Sequence, residues 1–359
     1  MIRRIHMIES GGRGGVFNHS VEVAAGLQAL GYDVTLHTAS DHDAYPDGLR
    51  LCRCITWHRK SSVRVVRQAR TSARYVARTL PHLLRAIHAD DIVHIQGLFA
   101  LTPELVKVAR MRGATVVCSP HNTFVRADAP GGGRALTSAL QDSDRVLVYS
   151  DVDMERVRVS TAEVGRVPLV QWTPPADPER VKAWRQRLNP DGAILALLPG
   201  QVRADKNPDV FVRALAGLPG WRGAIVGDDL GPGPRIDALI REISAPVVTV
   251  YGYLDVEDFV ALVAAADVVA APYSVASQSG VLAVAAQVGV PTAAAPTGGL
   301  SELATAVAAD AGPEAIRDAL VAAVGRGVPP VPAGAAAQRY VEEYLYARQR
   351  CRAASGALR

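Results

Sequence analysis

The sequence has few aromatic residues, few cysteines and no long uninterrupted apolar run. Phe, Trp and Tyr make up only 5% of its 359 residues. Single-stranded nucleic acids are held by aromatic side chains interleaved with cations. The one strongly basic stretch has only Tyr75 at its centre, so no nucleic-acid partner is expected. The four cysteines are Cys52, Cys54, Cys118 and Cys351. No two have Cys-x-x-Cys spacing, so the expectation is reduced thiols and no metal. The longest apolar stretch, "FVALVAAADVVAAPY", is broken by Asp267 and Pro272 and falls short of the roughly 20 residues of a membrane span. The opening "MIRRIHMIESGG" has no apolar core and no small-residue cleavage site, so no signal peptide is expected. These absences point to the cytoplasm, with the protein soluble or peripheral on the inner membrane face.

What is present is apolar and alternating. Ala, Val, Leu, Ile and their like make up 49% of the chain, enough for two cores. "RRIHMIES", "YDVTLHTA", "DIVHIQG", "ATVVCSP" and "DRVLVYS" read as buried strands separated by helical stretches. After "VPLVQWTPPADPERV", with four prolines, the pattern restarts in "AILALLPG", "GAIVGDD", "PVVTVYG", "DVVAAPY" and "PTAAAPT". Strands alternating with helices require crossovers, hence parallel sheets. The prediction is an α/β protein of two doubly wound Rossmann-like domains, residues 1–172 and 173–334. A closing helix over 335–359 packs back on the first.

In such sheets ligands bind beyond the carboxyl ends of the strands. The first loop there is "GGRGGVFN". Its Gly14 and Gly15 let backbone approach a ligand, and the helix they open offers N–H groups to an anion. The loop lacks G-x-G-x-x-G register, and "DVTLHTA" ends without the acid that holds an NAD ribose, which argues against a dehydrogenase. The second loop, "GQVRADKNP", puts Arg203 and Lys206 directly after a strand. Asn207-Pro208 there suits the N-cap and first turn of the next helix. A forked guanidinium and a point-charge ammonium suit a diphosphate. The third is "SQSGVLAVAAQVGVP", which carries no charge. Gln278, Ser279, Gly280 and Val281 open its helix, and bare N–H groups there can hold phosphate. The fourth, "PTGGLSE", offers Gly298 and Gly299 as a further turn. His121 follows "ATVVCSP", where an imidazole can meet a substrate hydroxyl.

Taken in order, these pieces resemble glycosyltransferase family 4, whose fold is GT-B. The residues that carry the resemblance are "GLQALGYDVTLHT", "VVCSPHNTF", "LLPGQVRADKNPDVFVRAL", "VYGYLDVEDFVALVAAADVVAAPY" and "GVPTAAAPTGGLSEL". It implies two domains facing a cleft and a retaining, metal-independent transfer with no cofactor. The donor would be a UDP-, GDP- or dTDP-sugar, and the acceptor a carbohydrate, lipid-linked or small-molecule hydroxyl. It implies that Arg203 and Lys206 neutralise the leaving diphosphate, that His121 meets the donor sugar, and that Gly14 and Gly15 approach sugar or phosphate. Gln278 to Val281 complete the donor site. Two departures stand out. The family's paired glutamates fall on Ala276 and Val284, leaving Glu302 as a substitute for the ribose contact, and its usual Arg falls on Gln201. The missing acids keep a non-catalytic sugar-nucleotide-binding subunit as an alternative; a nucleotide-sugar 2-epimerase of the same fold is the other, and it would need acid/base carboxylates of which the sequence shows no convincing pair.

Between Leu51 and Arg85 there is no acidic residue and there are nine basic ones. On a helix at about 100° per residue, Lys60, Arg64, Arg67, Arg74 and Arg78 share a face opposite Val65, Val66, Ala69, Ala73, Val76 and Leu80. Three readings of this 59–78 helix stand side by side: an anionic membrane surface, an anionic substrate, or a solvated face.

Overall fold

A computed structural model describes residues 2–55, 73, 75–124, 132–161 and 163–356. The chain divides into two compact units, residues 1–170 with 333–359, and residues 171–332.

The first unit holds a seven-stranded parallel sheet. Its strands are β1 (Ile5–Glu9), β2 (Val34–Ala39), β3 (Leu51–Ile55), β4 (Ile92–Gln96), β5 (Thr115–Ser119), β6 (Arg145–Val148) and β7 (Val164–Arg166), in the order β3-β2-β1-β4-β5-β6-β7. Every residue of β1, β4 and β5 is buried. Helices cover both faces of such a sheet, so its strands read as continuous apolar runs. The three strands with no clear trace in the sequence are β3, β7 and the later β13. The first two are edge strands of this sheet and the third is an edge of the other.

The second unit holds a six-stranded parallel sheet: β8 (Ile194–Pro199), β9 (Trp221–Gly227), β10 (Val247–Tyr251), β11 (Val268–Ala271), β12 (Thr292–Ala294) and β13 (Ala306–Val307). Their order is β10-β9-β8-β11-β12-β13. Both sheets reverse direction beside their first strand, between β1 and β4 and between β8 and β11. A crevice for a ligand opens at such a switch point.

The helix Ala337–Gly356 belongs to the first unit and packs on the helix Gly14–Ala29 and on β5. Tyr340 and Tyr344 are its fully buried anchors. Approach is close: a Cβ added to Gly26 would lie 2.9 Å from Cβ of Ala337.

Most of the basic 59–78 stretch, including Lys60, Arg64, Arg67 and Arg74, lies outside the described residues. Its described end is a π-helical turn, Tyr75–Thr79, running into the helix Leu80–Ala86. There Arg78 is exposed and Leu83 buried.

Candidate functional site

In the second unit, two loops meet at the switch point. One, 200–207, follows β8; the other, 272–279, follows β11. Backbone and side chains tie them together. The Ser274 amide donates to the Asp205 carbonyl at 3.0 Å, and Asn207 Nδ2 donates to the Pro272 carbonyl at 2.9 Å. Asn207 was expected to cap the next helix with its side chain. Instead its backbone is left-handed, at φ 48°, and its amide makes the cross-link to Pro272. Asn tolerates that conformation better than most residues.

Lys206 points inward. Its Nζ donates to the Pro199 carbonyl at 3.3 Å and stands 5.2 Å from the Tyr273 ring centroid. Burial, helped by the charge of Arg203 and opposed by Asp205, lowers its ammonium pKa to about 7. Arg203 is half-buried and clasps Asp205 with two bonds, Nε to Oδ1 at 3.0 Å and Nη2 to Oδ2 at 2.7 Å. Its Nη1 donates to no described residue, so the fork keeps one arm for a ligand. Asp205 and Tyr273 were not read from the sequence. A carboxylate two residues from an arginine looks like one more loop charge, and Tyr273 looks like the end of a strand.

The helix Gly280–Gln287 opens beside this pair. Ser279 is its N-cap, its hydroxyl accepting from the Leu282 amide at 3.4 Å. The amides of Gly280 and Val281 precede the first intrahelical bond and donate to no described residue. A Cβ on Gly200 would lie 3.1 Å from Lys206 Nζ and 3.7 Å from Val281 Cγ2, so cation and helix end border one space. Two positive groups and two bare N–H donors converge there. Such an arrangement binds an anion, and a diphosphate has the matching charge and oxygen count. Val284, one turn on, is buried in the apolar core and offers no hydrogen bond.

The turn Gly298–Glu302 packs against the loop ahead of Ser279. The Gly299 amide donates to the Ser277 carbonyl at 3.0 Å. Gly298 has φ +53°, and a Cβ there would lie 1.9 Å from the Ala276 carbonyl oxygen. The pair holds the 276–277 backbone in place ahead of Ser279. Glu302 is exposed at the end of this turn. Gly298→Ala is therefore expected to cost about 2–4 kcal/mol of stability. It is also expected to weaken nucleoside diphosphate binding. Urea unfolding and calorimetric titration of the same variant check both.

The glycine loop of the first unit has a different character from that expected. The amides of Gly11, Gly12 and Gly14 are taken by the protein's own acids. Glu9 accepts from the Gly11 amide at 2.5 Å, the Gly12 amide at 2.8 Å and the Thr38 hydroxyl at 2.9 Å. Asp43 accepts from the Gly14 amide at 3.0 Å. A phosphate at those three amides would meet two carboxylates. Gly14 and Gly15 still face open space: an added Cβ would touch nothing within 4 Å at either. Close approach of a neutral group, such as a sugar ring, fits them. Burial raises the Glu9 carboxyl pKa, while its three hydrogen bonds oppose the shift.

His121 closes β5's loop with a left-handed backbone, φ 53°. Its Nε2 lies 3.0 Å from Gln96 Oε1 and 2.9 Å from the Tyr149 hydroxyl. Tyr149 also reaches His19 Nε2 at 3.1 Å, and His19 reaches the Tyr340 hydroxyl at 2.9 Å. His121 is thus the outer member of a buried imidazole–phenol network. Burial, then the neighbouring His19 and His94, hold its pKa well below the ordinary value. It is a neutral hydrogen-bonding group at pH 7, suited to a hydroxyl rather than to a phosphate.

Comparisons with known proteins give the family and the fold. Glycosyltransferase Family 4 matches residues 13–190, and Glycosyl transferases group 1 matches residues 194–325. A curated relative, D-inositol 3-phosphate glycosyltransferase of Mycobacterium sp. (strain JLS), is 30% identical over 201 residues, covering 52% of this chain and 42% of that protein. The match thus spans less than half of that relative's length. Among solved structures, HepE of Anabaena in complex with UDP and glucose superposes with TM-score 0.65 at 14% identity, covering 99% of both chains. The catalytic domain of starch synthase IV of Arabidopsis thaliana, bound to ADP and acarbose, has TM-score 0.72 at 13% identity, covering 96% of this chain and 99% of that one. Sucrose-phosphate synthase of Thermosynechococcus elongatus has TM-score 0.64 at 18% identity, covering 98% and 94%. At these identities the solved structures speak for the fold.

Proposed function

Because this chain belongs to glycosyltransferase family 4 and has the GT-B fold, we propose that it transfers a sugar from a nucleoside diphosphate sugar to an acceptor hydroxyl. The observation that carries this reading is the convergence of Lys206, Arg203 and the Gly280 and Val281 amides at the switch point of the second unit. Breaking the bond from the anomeric carbon to phosphate builds negative charge on the leaving oxygen. Fixed cations and oriented N–H groups stabilise that charge more than they stabilise the bound sugar nucleotide. His121 offers its neutral imidazole to a sugar hydroxyl, and Gly14 and Gly15 leave room for the sugar's approach.

The finer parts of the proposal are retention of anomeric configuration, no metal requirement for the transfer, and no added cofactor. Lys206 and Arg203 supply the positive charge that a divalent ion supplies elsewhere. Addition of Mg2+ or Mn2+ is accordingly expected to change the transfer rate less than twofold. Incubating the full chain with UDP-, GDP-, dTDP- and ADP-sugars, first with water and then with an acceptor series, tests the whole reading. Inositol phosphates join carbohydrates and lipid-linked glycans in that series, because the curated relative's name specifies one. The anomeric coupling of the product distinguishes retention from inversion. Binding of the nucleotides without cleavage by any acceptor overturns the enzyme in favour of a sugar-nucleotide-binding subunit. That rival draws on one observation: apolar Ala276 and Val284 stand where the family carries acids.

Among the described residues, no helix is long and apolar enough to cross a membrane. An anionic membrane as a further partner of the 59–78 segment is tested by co-sedimentation with phosphatidylserine vesicles at low and high salt.

A further inference from the structure

On the β2–β3 side of its sheet, the first unit gathers four soft ligand side chains. His37 lies on β2, Cys52 and Cys54 on the edge strand β3, and His82 on the helix Leu80–Ala86. Parallel pairing sets His37 opposite Cys52. The register shifts just beyond, so that Ala39 faces Ile55, and Cys54 inside the shifted stretch still brings its Sγ to the same cluster. One donor atom from each of the four lies within 4.8 Å of all the others. Cys52 Sγ is 3.2 Å from His82 Nε2, and Cys54 Sγ is 3.6 Å from His37 Nδ1.

Those spacings suit one small ion. Zinc–sulfur bonds of about 2.3 Å and zinc–nitrogen bonds of about 2.0–2.1 Å, in tetrahedral array, separate the ligand atoms by about 3.3–3.8 Å. A set of two thiolates and two imidazoles selects zinc over harder cations. The surroundings of His37 supply a second, independent observation. Its Nδ1 faces the cluster, while its Nε2 lies 3.1 Å from His6 Nδ1. His6 Nε2 in turn lies 3.3 Å from Asp91 Oδ2, which also accepts from the His88 amide at 2.8 Å. This chain of carboxylate, imidazole and imidazole fixes the tautomer that presents Nδ1 as a ligand. Metal-bound histidines are oriented in this way. With its Nε2 facing the Asp91 carboxylate, His6 keeps Nδ1 as the acceptor of the hydrogen bond that His37 Nε2–H donates. The helix that carries His82 is seated by the Thr79 hydroxyl, which donates to the Cys54 carbonyl at 2.7 Å.

We propose that His37, Cys52, Cys54 and His82 bind one zinc ion that fastens the edge strand β3 to β2 and to the helix Leu80–Ala86. Four protein ligands close the tetrahedron, leaving no position for a substrate, so the ion is structural. The ion binds both sulfurs as thiolates, so protons compete with it and zinc affinity rises with pH. The ion also caps an edge where β3 has no further strand to pair with.

The test uses the full chain, stripped with a chelator under reducing conditions and titrated with Zn2+ against a chromophoric competitor. One equivalent per chain is expected, with a Co2+ form showing thiolate charge-transfer absorption. Cys52→Ser with Cys54→Ser is expected to abolish stoichiometric binding, and the exposed His82→Ala to weaken it more than tenfold. Asp91→Asn is expected to weaken it about 10–100-fold. Cys351→Ser is expected to leave it unchanged. Zinc is expected to raise the melting midpoint of the unsubstituted chain and not that of the double variant. Absence of an equivalent of zinc in the unsubstituted chain overturns the proposal even if every variant misfolds. So does equal uptake by the double variant, or a mass two daltons lower before reduction, which marks a Cys52–Cys54 disulfide.

Discussion

Lys206→Met is expected to lower kcat/KM for the nucleotide sugar about 10²–10³-fold, the usual cost of removing one fixed group aimed at developing charge. Methionine keeps the buried stem against Tyr273 and Pro199 and removes only the charge. The pH dependence of the unsubstituted chain gives an independent reading of the same side chain. In the free protein Lys206 has a pKa of about 7. A bound diphosphate favours the ammonium and raises that pKa. Below pH 7 the ammonium is present before and after binding, and the donor's Kd is flat on its account. Above pH 7 binding must also take up a proton, so Kd is expected to rise toward tenfold per pH unit until the pKa of the complex is reached. Calorimetry at pH 8 in two buffers of different ionisation enthalpy reads that proton directly. A flat Kd between pH 7 and 8.5, or a proton uptake retained by Lys206→Met, removes Lys206 from the diphosphate site.

The second large effect is on stability. Unfolding free energy is expected to fall by about 3 kcal/mol per pH unit as the pH drops below 6.5. Burial lowers the His19 pKa to about 4 and the His94 pKa to about 3. Both rings are wholly buried. In the unfolded chain each takes a proton near pH 6.5; in the fold each stays neutral until about 4 and 3. The unfolded state thus binds more protons throughout that interval. Each ring contributes about 1.4 kcal/mol per pH unit of lost stability. Two units of pH remove roughly 5 kcal/mol, a large share of a typical domain's 5–15 kcal/mol. His121 shifts in the same direction. Glu9 and Glu22, whose carboxyls burial pushes up, titrate with the opposite sign and flatten the acid end of the curve. Urea unfolding at pH 7, 6 and 5 measures the slope. His94→Asn is expected to reduce it by one proton, whatever it does to stability at pH 7.

The sequence shows the strands that are buried on both faces, because continuous apolar runs such as "ILALLP" and "VVAA" have few other uses. Edges leave weaker marks. β3 carries the exposed Arg53 between half-buried neighbours, and β7 and β13 are only three and two residues long. The cation loop is legible because Arg203 and Lys206 stand immediately after β8, where the topology requires a ligand. The clasp of Arg203 by Asp205 is not legible, since nothing local says which of several polar groups a side chain faces. The first glycine loop misleads for a related reason. Gly11, Gly12 and Gly14 advertise bare amides, while the carboxylates that fill them sit at Glu9 and Asp43, one of them inside a strand. The four sulfur and imidazole ligands hide most completely. Positions 37, 52, 54 and 82 share no spacing motif, and only the pairing of β2 with β3 brings them together.

The return of the helix Ala337–Gly356 to the first unit also sets an order on biosynthesis. Tyr340 holds His19, and the Tyr344 hydroxyl lies 2.7 Å from His94 Nδ1. Until the ribosome has made those two tyrosines, His94 lacks its phenol partner and His19 has only Tyr149. The second unit, whose chain is continuous over 171–332, is complete earlier. Vectorial synthesis therefore finishes the second unit first and leaves the first unit waiting for the helix Ala337–Gly356. Protection of the first unit from protease on stalled ribosomes is expected to arrive only once Tyr344 has cleared the exit tunnel.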